Sequence, residues 1–299
     1  MAGASDYRYK YDKTKSFIYK KGIDFRHYKL TPEAWERWDS SMTPSRAAYF
    51  AGLFDGDGSF TYRRKNSLHA YIKLQDLEPL ESLHEIYGVT IYGLSQPFNP
   101  KHKTLYKVSL HGVVANHFMQ CVCPWLSEKR KLVTNLLNKS LPNYHPYKVP
   151  FPKKDKFIAT IMPLMCYVAG FFDAEGSATI FLDKKYERVH PRINFTNTEL
   201  RPLKKLKKFL ETWPFTFKPT INTTQSKGKR KDGSPNKRSY KLLIPHSQHL
   251  LFMKMFSPIM HLERKRRATH RFEMLRTVDD HIKTRKRVKR LKRKYGSKR

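Results

Sequence analysis

Asp57 and Glu175 lie far apart in a 299-residue chain, yet they occupy nearly the same twelve residues, YFAGLFDGDGSF at 49–60 and YVAGFFDAEGSA at 167–178. Both copies have an aromatic first residue, an Ala-Gly pair, a Phe-Asp pair, a second acid and then Gly-Ser. A duplicated segment signals a duplicated architecture. Ala51-Gly52 and Ala169-Gly170 are small enough for two helices to pack backbone to backbone. Crossing about a pseudo-twofold axis, such helices would bring their C-terminal ends together and set Asp57 beside Glu175. Carboxylates that close are comfortable as anions only when cations join them. Hard oxygen donors suit Mg²⁺. Beside a nucleic-acid backbone, a divalent ion activates water for phosphodiester hydrolysis and stabilises the leaving oxygen.

The composition points to a polyanionic partner. Sixty Lys and Arg against 25 Asp and Glu give a formal charge of +35, and each cation laid on a phosphate releases condensed counterions. No apolar run approaches the ~20 residues that span a bilayer, so a membrane partner is not expected. Three cysteines, Cys121, Cys123 and Cys166, form neither a disulfide framework nor a C-x-x-C pair, and buried thiols in a reducing compartment are expected. The basic, aromatic N-terminus has no secretory core. It fits an arm on nucleic acid, a remnant transit segment or an extension read from an upstream frame.

The elements that must position the two acids follow from caps and alternation. Thr31-Pro32-Glu33 and Thr43-Pro44 each predict a helix start, with a capping hydroxyl and a proline in the first turn. The second helix runs through Tyr49, Gly52 and Phe54 and stops near 56–58. A strand from Ser59 puts Phe60 and Tyr62 on one face and Thr61, Arg63 and Lys65 on the other. Then come a strand at 69–75, a helix at 78–87 closed by Gly88, strands at 89–95 and 104–110, and helices at 112–122 and 127–139. The second half replays this order. Pro163 opens a helix, Ser177 a strand with Thr179 and Lys185 outward, and RINFT at 192–196 a further strand. A helix at 197–210 follows, and SYKLLI at 239–244 echoes LYKVSL at 105–110. The fold class expected is α+β, two pseudo-symmetric αββαββα repeats. A basic extension (1–44) precedes the first repeat (45–140). A proline-rich linker (141–160), the second repeat (161–280) and a basic tail (281–299) complete the chain.

The paired motifs and this topology resemble the LAGLIDADG homing endonucleases, in the single-chain form with two motifs, across roughly 45–280. The resemblance implies two antiparallel sheets of eight strands in total, saddling double-stranded DNA. It makes Asp57 and Glu175 ligands of two or three Mg²⁺ ions, and leaves Asp55 and Asp173 the structural role of capping at the helix ends. It also implies a polar residue after the second strand of each repeat and a basic residue near a later helix. The first falls on Asp76 (or its neighbour Gln75) and Asn197, both equally good helix N-caps. The second falls on Lys129, with Arg264 or Lys265 as its counterpart. Outward strand residues become the candidate DNA readers: Arg63, Lys65, Lys73, Lys107, Thr179, Lys185, Arg192, Asn194 and Lys241. A two-stranded ribbon fits the major groove, where Arg and Lys read guanine and Asn reads adenine. For any single lysine, a phosphate contact is the commoner role.

The function implied is site-specific double-strand cleavage at a long asymmetric target by a monomeric, metal-dependent endonuclease of the intron-homing type, in a mitochondrion or chloroplast. Two further readings use the same saddle. One is an intron maturase on structured RNA, and the other a non-catalytic, ribosome-associated RNA binder favoured by the +35 charge. A pure binder has no need of two carboxylates facing phosphate.

Overall fold

A computed structural model describes residues 16–23, 31–63, 67–94, 104–140, 157–183, 188–212, 215–225, 238–268 and 271–272. The expected linker centre and C-terminal tail lie outside them, as do Lys65 and Lys185. The chain divides into two compact units between Glu175 and Gly176.

Both helix starts predicted at Thr-Pro are present. Helix α1 spans Pro32–Ser41 and α2 spans Pro44–Gly56, with the Thr31 and Thr43 hydroxyls accepting from the amides of Ala34 and Arg46. From Ala47 to Asp55 every residue of α2 is buried, which marks a helix enclosed on all sides rather than one with a solvent face. Its partner in the same unit is α6, Phe157–Glu175, buried from Cys166 to Asp173. Pro163 does not open α6 as expected; it lies inside, six residues past the first. Proline removes one intrahelical hydrogen bond, and local preference yields here to tertiary packing.

Between α2 and α6 run β2 (Gly58–Arg63), β3 (Ser67–Leu74), α3 (Glu78–Tyr87), β4 (Ile91–Leu94), β5 (Leu105–His111), α4 (Gly112–Val122) and α5 (Arg130–Ser140). Helix α3 stops at Gly88, whose φ of 66° is the left-handed conformation that glycine adopts without strain. The second unit carries β6 (Gly176–Asp183), β7 (Arg188–Asn197), α7 (Leu200–Glu211), β8 (Thr220–Gln225), β9 (Arg238–Leu243) and α8 (His249–Phe256). Its strands pair antiparallel in the order β6-β7-β9-β8.

The first sheet departs from the expected four strands. A strand β1, Ser16–Lys20, joins its edge to give the antiparallel order β1-β4-β5-β3-β2, so the described residues hold nine strands rather than eight. Each sheet has its own aromatic core, Phe50, Phe54, Phe60 and Phe118 in the first unit and Phe195, Phe215, Phe217, Phe252 and Phe256 in the second. Helix α1 is tied to the first core by a polar relay. The His117 Nε2–H donates to Asp39 at 2.9 Å, because a carboxylate only accepts. Nδ1 then accepts from the Tyr87 hydroxyl at 2.9 Å.

Candidate active site and nucleic-acid face

The two signature helices meet through their glycines. A Cβ on Gly52 would stand 2.1 Å from the Tyr167 carbonyl oxygen, and one on Gly170 would stand 2.0 Å from that of Tyr49. The contact is reciprocal, and so is the polar one beside it. Tyr49, which begins the first dodecamer, donates its hydroxyl to Asp173 at 2.8 Å. Tyr167, which begins the second, donates to Asp55 at 2.9 Å. Each motif's first residue therefore holds the other motif's first acid, and the repeated aromatic was the sequence signal for it. Asp55 also accepts from the amides of Ser127 (2.6 Å), Lys129 (2.9 Å) and Glu128 (3.2 Å) just ahead of α5. Burial pushes its carboxyl above the ordinary range, while these donors pull it back. That is the capping role the resemblance gave it.

The second acids lie where the helices end. Asp57 caps α2 and is exposed; Glu175, the last residue of α6, is half-buried. Gly56 sits against Ala174, and a Cβ placed on it would lie 3.0 Å from the Glu175 Cγ. Two helix C-termini, each with the negative end of a peptide dipole, thus converge with a carboxylate apiece. Lys129 reaches into this negative corner. Its Nζ donates to the carbonyls of Phe54 (2.5 Å), Gly58 (2.6 Å) and Gly56 (3.3 Å). Burial depresses its pKa, opposed by the carboxylates of Asp55, Asp57, Glu175 and Glu128. A donor set of hard oxygens with one shielded ammonium fits a small divalent cation.

The remaining polar candidates divide. Asp76 is half-buried ahead of α3 but does not cap it; the N-cap position is Leu77, with no side-chain bond. Asn197 accepts from the Glu199 amide at 2.8 Å, closing the turn into α7 without occupying its N-cap. Arg264 is exposed, whereas Lys265 is only 4% exposed, so Lys265 rather than Arg264 is shielded from solvent, more fully than half-buried Lys129.

On the first sheet, the residues pairing across strands define one outward face. Arg63 opposes Ser67, and Lys73 opposes Lys107, whose ammonium lies over the Tyr71 ring at 5.4 Å. Burial lowers the Lys107 pKa, and the like charges of Lys73 and Arg63 lower it further. His69 belongs to the same face and escaped the sequence reading. Only 2% exposed, it stacks on His111 with ring centroids 4.4 Å apart. Burial, with His111, Arg63 and Lys107 adding charge, brings its pKa to about 4. On the second sheet Thr179 opposes Arg192, both exposed, and Lys241 opposes Thr196. Asn194 is a correction. It shares the face of Arg192 but is only 7% exposed, since β7 is flanked by β6 and β9 and its amide turns to the Thr196 hydroxyl at 3.4 Å.

One other cluster gathers ligand atoms. Asp39, His117 and Cys121 bring theirs within 4.8 Å of one another, but both imidazole nitrogens are already bonded to Asp39 and Tyr87. Burial pushes the Cys121 thiol up to about 12. This is a structural relay.

The fold and site define a class: an α+β chain whose paired signature helices end in two carboxylates beside a basic sheet face. Solved structures similar to it are LAGLIDADG homing endonucleases. I-GzeII in complex with its DNA target is 12% identical over 79% of this chain and 91% of that one, with a TM-score of 0.44. I-CvuI, in complex with its target in the presence of 2 mM Ca, is 15% identical over 46% and 82%, with a TM-score of 0.25. No family model matches the sequence, and neither does any curated protein. No helix among the described residues is long and apolar enough to cross a membrane.

Proposed function

We propose that the chain is a divalent-metal-dependent, site-specific DNA endonuclease of the homing type, acting as a monomer on an asymmetric duplex. The observation that carries this is the convergence of Asp57 and Glu175 at two helix C-termini over the half-buried Lys129, whose ammonium bonds the carbonyls there. Asp57 and Glu175 would hold Mg²⁺, which when bound supplies activated water and stabilises phosphodiester charge. Lys129 fixes the α2 terminus, so that Asp57 presents its carboxylate without rearrangement, and its charge offsets the two acids. Lys265 is the corresponding candidate in the second repeat. Arg63, Lys73, Lys107, Thr179, Arg192 and Lys241 hold phosphate or read base edges.

The test replaces Asp57 by Asn and Glu175 by Gln and assays targets selected from a random duplex library with Mg²⁺. Cleavage should vanish while binding survives, because shape is kept and only charge is lost. Ca²⁺ in place of Mg²⁺ should likewise permit binding and stall hydrolysis. Full cleavage by the double variant would remove these acids from the chemistry. Tighter binding of structured RNA than of any duplex would transfer the same face to the RNA readings that the +35 charge also suits.

A further inference from the structure

The fifth strand of the first sheet lies outside the duplicated plan, and Ile18 at its centre faces the same way as the basic row. Cross-strand partners share a face. Ile18 opposes Tyr92, Tyr92 opposes Lys107, and Lys107 opposes Lys73. One residue beyond the Gly58–Ile72 pair stand Asp57 and Lys73 themselves. A single row therefore crosses the sheet from the candidate catalytic acid to Ile18, a distance of about 19 Å at ~4.8 Å per strand. At its far end are two exposed apolar side chains, Ile18 at 57% and Tyr92 at 39%, with exposed Lys21 just beyond; a bulge pairs Lys20 with Ile91 and so gives it to the other face. They border a groove of about 780 Å³ lined by Ile18, Lys21, Tyr92, Ser109 and His111 among others.

The strand is built into the sheet. The Phe17 ring covers Gly93 from the opposite face, and Tyr19 stacks edge-on against Tyr106 at 5.2 Å. Past the strand, the Gly22 amide donates to the Thr90 hydroxyl at 3.0 Å and the Ile23 amide to the Gly88 carbonyl at 2.7 Å. With the backbone so fixed, Ile18 and Tyr92 keep their exposed side chains on the outward side. An apolar pair beside Lys21, continuous with a cationic face, matches duplex DNA, which offers a thymine methyl at the base edge and phosphates either side.

We propose that β1 and β4 form an outer specificity contact for duplex DNA, with Ile18 and Tyr92 receiving a base edge and Lys21 holding an adjoining phosphate. This rests on the endonuclease reading. The second sheet has four strands among the described residues, so the contact would lengthen the recognised sequence on one side only.

The experiment uses the full chain and a target it selects from a random duplex library. Two variants touch only exposed side chains, Ile18→Ser with Tyr92→Ser, and Lys21→Ala. The first should relax base preference about fivefold at the outermost positions of one end and leave the central positions and cleavage unchanged. The second should shorten the backbone footprint at that same end and lower the slope of log K against log salt by about 0.9. A selected target whose footprint and outer preferences are unchanged in both variants overturns the β1 contact and leaves the endonuclease reading standing. A loss spread evenly over all positions overturns it as a specificity contact. If the wild-type chain selects no duplex, the endonuclease reading fails and the contact with it.

Discussion

At the scale of the residue, His69 is the group whose state the fold alters most legibly. It is enclosed on a face shared with Arg63, Lys107 and His111, and its pKa is lowered from 6.5 to about 4. A histidine depressed in the folded state contributes stability that is complete above pH 6.5 and lost as the pH falls towards 4, because the unfolded chain takes up the proton first. Chemical denaturation across that range should show a steeper acid loss for the wild type than for His69→Phe. Parallel curves would mean that His69 does not titrate with folding. Phosphate laid on this face would favour the protonated ring, so DNA binding at pH 5 should take up protons, measurable by titration calorimetry in buffers of different ionisation enthalpy. The tyrosines give a second residue-scale expectation. Tyr167→Phe withdraws one donor from buried Asp55 and should cost about 1.5–3 kcal/mol, with Tyr49→Phe costing a similar amount through Asp173. Thermal or denaturant unfolding of the two variants measures both.

At the scale of the element, the α2–α6 pair carries the architecture of the site. Its axes approach so closely that any side chain at Gly52 or Gly170 meets backbone, with carbonyl oxygens about 2 Å from the added carbon. Backbone within a buried helix cannot swing aside as a flexible side chain would. Gly52→Ala and Gly170→Ala should each destabilise the protein by about 1–3 kcal/mol or more. Each should also reduce cleavage more than it reduces binding, since separating the helices separates Asp57 from Glu175. Unfolding midpoints comparable to wild type in either variant would show that the helices do not pack this tightly. A control at the first turn, Thr43→Ala, removes only a cap and should cost about 1 kcal/mol with the site geometry kept.

At the scale of the whole molecule, charge governs. The segment 283–299 carries 11 of the 60 Lys and Arg. Deleting it should weaken binding to every sequence alike and make the salt dependence shallower, as loss of phosphate contacts requires. Arg63→Ala or Arg192→Ala should instead weaken binding unevenly, by about 1–3 kcal/mol at one base pair if the arginine reads guanine. Filter binding of target and scrambled duplexes at two salt concentrations separates the two behaviours. Because α2 already has its partner in α6, the chain should sediment as a monomer on DNA. An obligate dimer would contradict that pairing.

The sequence by itself determined the duplication, the helix starts at Thr31 and Thr43, the stop at Gly88 and the alternation that put Arg63 and Lys73 on an outward face. These are local properties: a cap, a left-handed glycine and a period of two are written within a few neighbouring residues. It also determined that Ala-Gly pairs permit close approach, from which the proximity of Asp57 and Glu175 was expected. Only the tertiary structure decided the rest. Pro163 looked like a helix start because proline disfavours helix interiors, yet α6 runs through it to pack on α2. Asn194 alternates outward, and its neighbours on β6 and β9 then cover it. Lys265 and Arg264 are adjacent and chemically alike in sequence, and burial alone distinguishes them. Strand β1 has no twin among the described residues of the second repeat, so the repeat gave no sign of it; its place was fixed by pairing with β4, more than seventy residues away. In each case the outcome depended on which distant backbone or side chain came to lie alongside, and that information is distributed over the whole chain rather than carried by the segment itself.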